Sequence, residues 1–132
     1  MAQTPLVTVV DDDEQVRESL AALVQSIDVD VECFESGQAF LDAFSYTRPG
    51  VVVLDLRMPQ LSGQDALDEL VARRVGVPVI MITGHGDIPA AVAAMKSGAV
   101  DFLEKPYRGA TLLESLRRAL DQSERNFQAE SK

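Results

Sequence analysis

The stretch "VTVVDDDEQ" carries an apolar run straight into Asp11, Asp12 and Asp13. Neighbouring carboxylates repel, and burying even one is costly unless positive charge meets it. A further carboxylate, Asp55, closes the run "VVVLD"; Thr83 follows "PVIMI", and Lys105 closes "DFLEK". Carboxylates, a hydroxyl and an ammonium at the ends of separate apolar runs describe one chemistry if those ends meet. They would form a site for a hard divalent cation with oxygen ligands, and Mg²⁺ suits a few carboxylates completed by water and phosphate oxygens.

Convergence of these residues requires a particular architecture. The runs 6–10, 30–34, 51–55, 78–82 and 101–105 read as strands, and the most apolar of them suit strands covered on both faces. Between them lie helical stripes: Val16, Leu20, Leu23, Val24 and Ile27; Phe40, Leu41 and Phe44; Leu67, Leu70 and Val71; then Leu113, Leu116 and Leu120. Ser36 and Asp87 stand where helix N-caps belong, and Pro89 sits where a first turn tolerates it. Five strands alternating with five helices imply an α/β fold, a doubly wound parallel sheet with right-handed crossovers and helices on both faces. Such sheets bind ligands outside the carboxyl ends of their strands. Asp11, Asp12, Asp55, Thr83 and Lys105 would therefore share one edge. After Leu120 the polar "DQSERNFQAESK" reads as a fraying helix end or the start of a linker.

At 132 residues the chain is expected to form one domain with a proper core. Its formal charge of −9 argues against gripping nucleic acid or an anionic membrane directly. Cys33 is the only cysteine and is expected as a buried small apolar residue in a reducing, cytoplasmic setting. The start lacks a signal-peptide pattern, and no apolar run approaches the ~20 residues of a membrane span. One histidine, His85, and one cysteine cannot assemble a catalytic triad or a zinc site.

"VVDDDEQVR", "VLDLRMPQLSG", "ITGHGD" and "DFLEKP", in this order, resemble the receiver domain of two-component response regulators over about residues 5–122. The wording of "DLRMP" and "AMKSGAVDFLEKP" is most similar to the FixJ-like branch, whose receivers usually precede a LuxR-type helix-turn-helix output. The resemblance implies a flavodoxin-like strand order of 2-1-3-4-5, a receiver at 1–122, and 123–132 leading towards a DNA-binding domain outside this chain. It implies Asp55 as phosphoacceptor for a sensor histidine kinase. Asp11, Asp12, Asp55 and the backbone carbonyl of Arg57 would hold Mg²⁺, with Mn²⁺ as a substitute. Lys105 would pair with the carboxylate and then with the phosphoryl group, Thr83 would donate a hydrogen bond to that group, and Phe102 would be the aromatic switch. A cis Lys105–Pro106 bond is part of the pattern, and X–Pro energetics permit it. Such a protein catalyses its own phosphotransfer and slow dephosphorylation without being a turnover enzyme. On phosphorylation it would homodimerise through a face bearing Val92, Lys96 and Val100, and regulate transcription through the output domain, with no membrane partner.

Plainer readings stand beside each residue. The acidic run could cap the following helix, Thr83 could satisfy a strand-end carbonyl, Lys105 could be a surface charge, and Phe102 a core aromatic. The alanines of "IPAAVAAMK" could simply let a helix pack closely on the sheet. Two rival classes share parts of the pattern. An aspartyl-phosphate hydrolase normally has a second Asp two residues after its nucleophile, where this chain has Arg57. A flavodoxin-like carrier needs a phosphate-cradling loop after the first strand, where "DDDEQ" would repel a phosphate.

Overall fold

The computed structural model describes residues 3–130. Strands and helices alternate as β1 (Leu6–Val10), α1 (Glu14–Val24), β2 (Asp30–Phe34), α2 (Gly37–Ala43), β3 (Gly50–Asp55), α3 (Gly63–Ala72), β4 (Val79–Thr83), α4 (Ile88–Lys96), β5 (Asp101–Glu104) and α5 (Gly109–Glu130). The sheet order is β2-β1-β3-β4-β5, and neighbouring strands are parallel. The expected doubly wound α/β fold is present.

Strand alternation divides the core. Val10, Val52, Leu54, Val79 and Met81 point to one face, where they meet Phe40 and Leu41 of α2, Leu67 and Leu70 of α3, and Ala94 of α4. Val7, Val9, Val51, Val53, Ile80 and Ile82 point to the other, against Leu20 and Val24 of α1 and Leu112 and Leu116 of α5. Burial on both faces explains why β3 is buried throughout and reads as a continuous apolar run. At about 25 cal/mol per Å² of apolar surface, this two-sided burial is the main term holding the sheet. Chain order reverses at the β1/β3 boundary, so the loops after those strands flank a crevice.

Local signals account for most helix starts. Asp13 accepts from the amides of Gln15 and Val16, Ser36 from Ala39, and Ser62 forms a reciprocal capping box with Asp65. Asp87 occupies the N-cap position of α4 as expected, yet its side chain makes no capping hydrogen bond.

The structure departs from sequence expectation at three places. Val71 is 53% exposed rather than part of the buried stripe, because α3 turns only Ala66, Leu67 and Leu70 inward beyond its first residue. Cys33 is exposed: it lies on β2, an edge strand whose residues are at most half-buried. The polar segment after Leu120 does not fray but continues α5 to Glu130. Ser123 within it is fully buried, accepts from the Gly50 amide at 2.9 Å and shares a 2.6 Å hydrogen bond with the Tyr46 hydroxyl. One turn on, Phe127 meets the Tyr46 ring edge to face at 4.9 Å.

Candidate functional site

Parallel register delivers the strand ends to one edge. Val10 lies opposite Leu54, Asp55 opposite Ile82, and Thr83 opposite Glu104. Asp11 follows β1, Asp55 ends β3, Thr83 ends β4, and Lys105 follows β5. Carboxylate oxygens of Asp11, Asp12 and Asp55 lie within 4.8 Å of one another. Gly63 supports this corner: its amide bonds Leu56 O at 2.9 Å, and a Cβ there would stand 2.3 Å from the carbonyl oxygen of Asp55.

The three consecutive aspartates divide their work. Asp11 is buried, and its Oδ1 accepts from the Asp13 amide at 2.9 Å. Its buried Oδ2 has no hydrogen-bond partner and faces Lys105 Nζ at 3.9 Å, beyond hydrogen-bond reach. Asp12 is exposed, and Asp13 caps α1. The capping alternative is thus correct for Asp13 and leaves the other two to the site.

Lys105 Nζ stands 3.8 Å from Asp55 Oδ1, an ion pair across a gap rather than a hydrogen bond. Burial, and then the Asp11 charge, push the Asp55 carboxyl up to about 6, against partial relief from Lys105 and the Arg57 amide. Burial likewise raises Asp11, and burial followed by the two carboxylates raises the Tyr107 phenol. The cluster therefore holds more negative charge than its one ammonium offsets. An orphaned buried carboxylate oxygen, an all-oxygen donor set and mutual repulsion fit a hard cation such as Mg²⁺.

The remaining site residues are placed as follows. Thr83 is fully buried, and its hydroxyl donates to Leu103 O at 3.4 Å rather than towards Asp55. Phe102 is partly buried against the core beside Met81, its partner in register. Arg57 lies in the loop after β3, and its side chain turns away to Asp87. Val92 and Lys96 are exposed on α4, whereas Val100 is half-buried against the core on the opposite face of the sheet from Ala94. The Lys105–Pro106 bond is cis.

Sequence reasoning did not single out Glu104, which accepts from the Gly86 amide at 3.1 Å and lies 3.6 Å from His85 Nδ1. Its position just before Lys105, with "GHGD" following Thr83, was the available signal.

The family profile for the response regulator receiver domain matches residues 7–117. The transcriptional regulatory protein FixJ of Azorhizobium caulinodans is 48% identical over 123 residues, covering 93% of this chain and 58% of that protein. The response regulator protein TmoT of Ectopseudomonas mendocina is 46% identical over 118 residues, covering 89% of this chain and 54% of TmoT. The chain thus spans about half the length of these curated relatives. Among solved structures, the crystal structure of FixJ-N superposes with a TM-score of 0.84 at 45% identity, covering 90% of this chain and 95% of that one. The response regulator StyR superposes with a TM-score of 0.91 at 41% identity, covering 98% and 65%. The chain belongs to the response regulator receiver domain family and is a FixJ-like receiver of two-component signalling.

Proposed function

We propose that Asp55 accepts a phosphoryl group from a phosphohistidine of a sensor histidine kinase. A carboxylate oxygen of Asp55 forms the new bond to phosphorus as the P–N bond breaks; the imidazole leaves with that electron pair and is protonated from solvent. The observation that carries this reading is the over-charged cluster of buried Asp11 and Asp55 with exposed Asp12, and Lys105 alongside. Asp11, Asp12, Asp55 and the Arg57 carbonyl would hold Mg²⁺, or Mn²⁺ in its place, which when bound supplies the positive charge that lets an anionic nucleophile meet an anionic phosphoryl group. Lys105 moves from pairing with Asp55 to pairing with a phosphoryl oxygen. Thr83 exchanges its long bond to Leu103 O for one to the phosphoryl group, and Phe102 follows into the space vacated. Water then hydrolyses the acyl phosphate slowly, restoring the carboxylate and releasing phosphate.

In this reading residues 1–122 are the receiver and 123–132 lead towards a DNA-binding output domain. Phosphorylation promotes a homodimer through the α4 side, where Val92 and Lys96 are exposed beside Ile88 and Met95; Val100, half-buried against the core on the other face of the sheet, contributes little to that surface. The setting is cytoplasmic; among the described residues no helix is long and apolar enough to cross a membrane.

The test is incubation with Mg²⁺ and a small phosphodonor, followed by locating the added phosphate by mass. Phosphate on the peptide containing Asp55, absent in Asp55→Asn and in excess chelator, is expected. Labelling that survives either change overturns the assignment.

A further inference from the structure

The start of α4 lacks a contact its own sequence provides for. Asp87 is the N-cap residue, and Pro89 at the second helical position has no N–H, so the Ala90 amide is the donor a capping carboxylate would serve. The Asp87 carboxylate is engaged elsewhere. Arg57 Nε and Nη2 both donate to its Oδ2, at 3.0 and 2.6 Å. The backbone of Asp87 (φ −92°, ψ 49°) also departs from the extended conformation of Asp13, Ser36 and Ser62, each of which does cap its helix.

The pair joins the loop after β3 to the loop after β4, beyond the Leu56 amide–Ile82 carbonyl bond at the strand ends. Arg57 stands two residues after Asp55, in the loop between β3 and α3. Asp87 ends the loop that begins after Thr83, and that loop is tethered a second time where Glu104, next to Lys105, accepts from the Gly86 amide. The guanidinium–carboxylate contact therefore couples the backbone at Arg57 to the first turn of α4, whereas the Gln64–Ser97 hydrogen bond at 2.8 Å meets that helix at its other end. The Arg57 side chain is 73% exposed and that of Asp87 21%, so the contact is weakened by solvent. A helix cap is worth a free energy of the same order. Two arrangements of similar energy make a bistable element that a modest bias can tip.

We propose that Arg57 is a latch on α4. While Arg57 holds the Asp87 carboxylate the helix starts uncapped; release of the pair lets Asp87 turn onto the Ala90 amide and fix the first turn. The helix so fixed is the one that exposes Ile88, Val92 and Met95. The latch is a property of the resting protein, and only its trigger rests on the proposed function, which places a bound ligand at the Arg57 carbonyl.

Amide hydrogen exchange followed by NMR tests the latch on the whole chain. In the resting protein without metal, Arg57→Ala should slow exchange at Ala90 about five-fold relative to the parent, as expected of a gained cap. The double variant Arg57→Ala/Asp87→Ala should lose that slowing, because no carboxylate remains to cap. The parent treated with Mg²⁺ and beryllium fluoride as a phosphoryl mimic should slow at Ala90 as Arg57→Ala does. Unchanged or faster exchange in Arg57→Ala overturns the latch, as does slowing that persists in the double variant. A mimic-loaded parent with no slowing overturns its role in signalling. Failure of Asp55 to take phosphate in the mass experiment would instead remove the trigger, and the resting-state comparison would still decide the latch.

Discussion

Asp55 carries a conflict between fold and charge. In the folded protein its carboxyl titrates near 6 rather than 3.8, so between those values the native state binds more protons than the unfolded chain. This residue therefore costs no stability below about pH 4, and its penalty grows as pH rises and is complete above about pH 6, at roughly 3 kcal/mol or less. In chelator, Asp55→Asn should be more stable than the parent by about 1–3 kcal/mol at pH 7.5, and the advantage should vanish near pH 4. Urea unfolding at several pH values measures this; an Asn variant no more stable at pH 7.5 would contradict the assigned charge burden. Asp12, exposed and free of that burial, has a different signature. Mg²⁺ at a hundred times its dissociation constant should stabilise the parent by about 2.7 kcal/mol, and Asp12→Ala should lose most of that response in thermal melts. A variant that responds like the parent would remove Asp12 from the ligand set. At this scale the sequence was informative about type and position, since Asp11, Asp12, Asp55, Thr83 and Lys105 all ended predicted strands. It was silent on what separates Asp13, a cap, from its two neighbours, because capping depends on φ and ψ at one residue. It was equally silent on the Arg57–Asp87 pair, which joins loops 30 residues apart.

The loop from β3 into α3 is built around Gly63, whose missing side chain lets the chain return against the Asp55 carbonyl. Gly63→Ala would force backbone against backbone, and overpacking of that kind costs about 1–3 kcal/mol. The loss should appear in the urea midpoint together with slower phosphorylation of Asp55; a variant with parental stability would show that the corner is soft. On α4, Ala91 and Ala94 are fully buried and let the helix sit close to the sheet, so the plain reading of the alanines holds for these two. Ile88, Val92 and Met95 remain 40–49% exposed. If this face carries the dimer, sedimentation with Mg²⁺ and a phosphoryl mimic should show dimers in the parent and monomers in Val92→Asp. A monomeric parent with Asp55 demonstrably loaded would rule the face out. The sequence reading put Val92 on this face without singling out Ile88 or Met95, and helical spacing could not say which way Val71 turned. A stripe three residues wide on a short helix leaves the choice to packing, and only neighbouring layers settle it.

For the molecule as a whole, alternation of apolar runs and helical stripes was enough to specify a doubly wound sheet, since burial on both faces leaves a distinctive run of Val, Ile and Leu. The two ends of that logic were less legible. β2 carries Asp30 and Glu32 and is less apolar than the central strands, but its composition did not say which way Cys33 would face, and so the exposure of Cys33 was not foreseen. The late part of α5 looks polar, yet Ser123 and Phe127 return to the domain one turn apart. Ending the protein at residue 122 should leave the buried Gly50 amide without its Ser123 acceptor, and an orphaned buried donor costs about 1–3 kcal/mol. Thermal melts of the shortened protein should therefore fall below those of the full chain, and equal melting would show the contact to be energetically idle. The clasp also has a mechanical meaning. α5 has 22 residues, a rod of roughly 33 Å at 1.5 Å per residue, and it is gripped along its length rather than only at its root. A body fused beyond such a rod is aimed, not tethered: a small rotation of the helix about its seat becomes a displacement of several ångströms at the tip, and torque rather than proximity becomes the signal that travels.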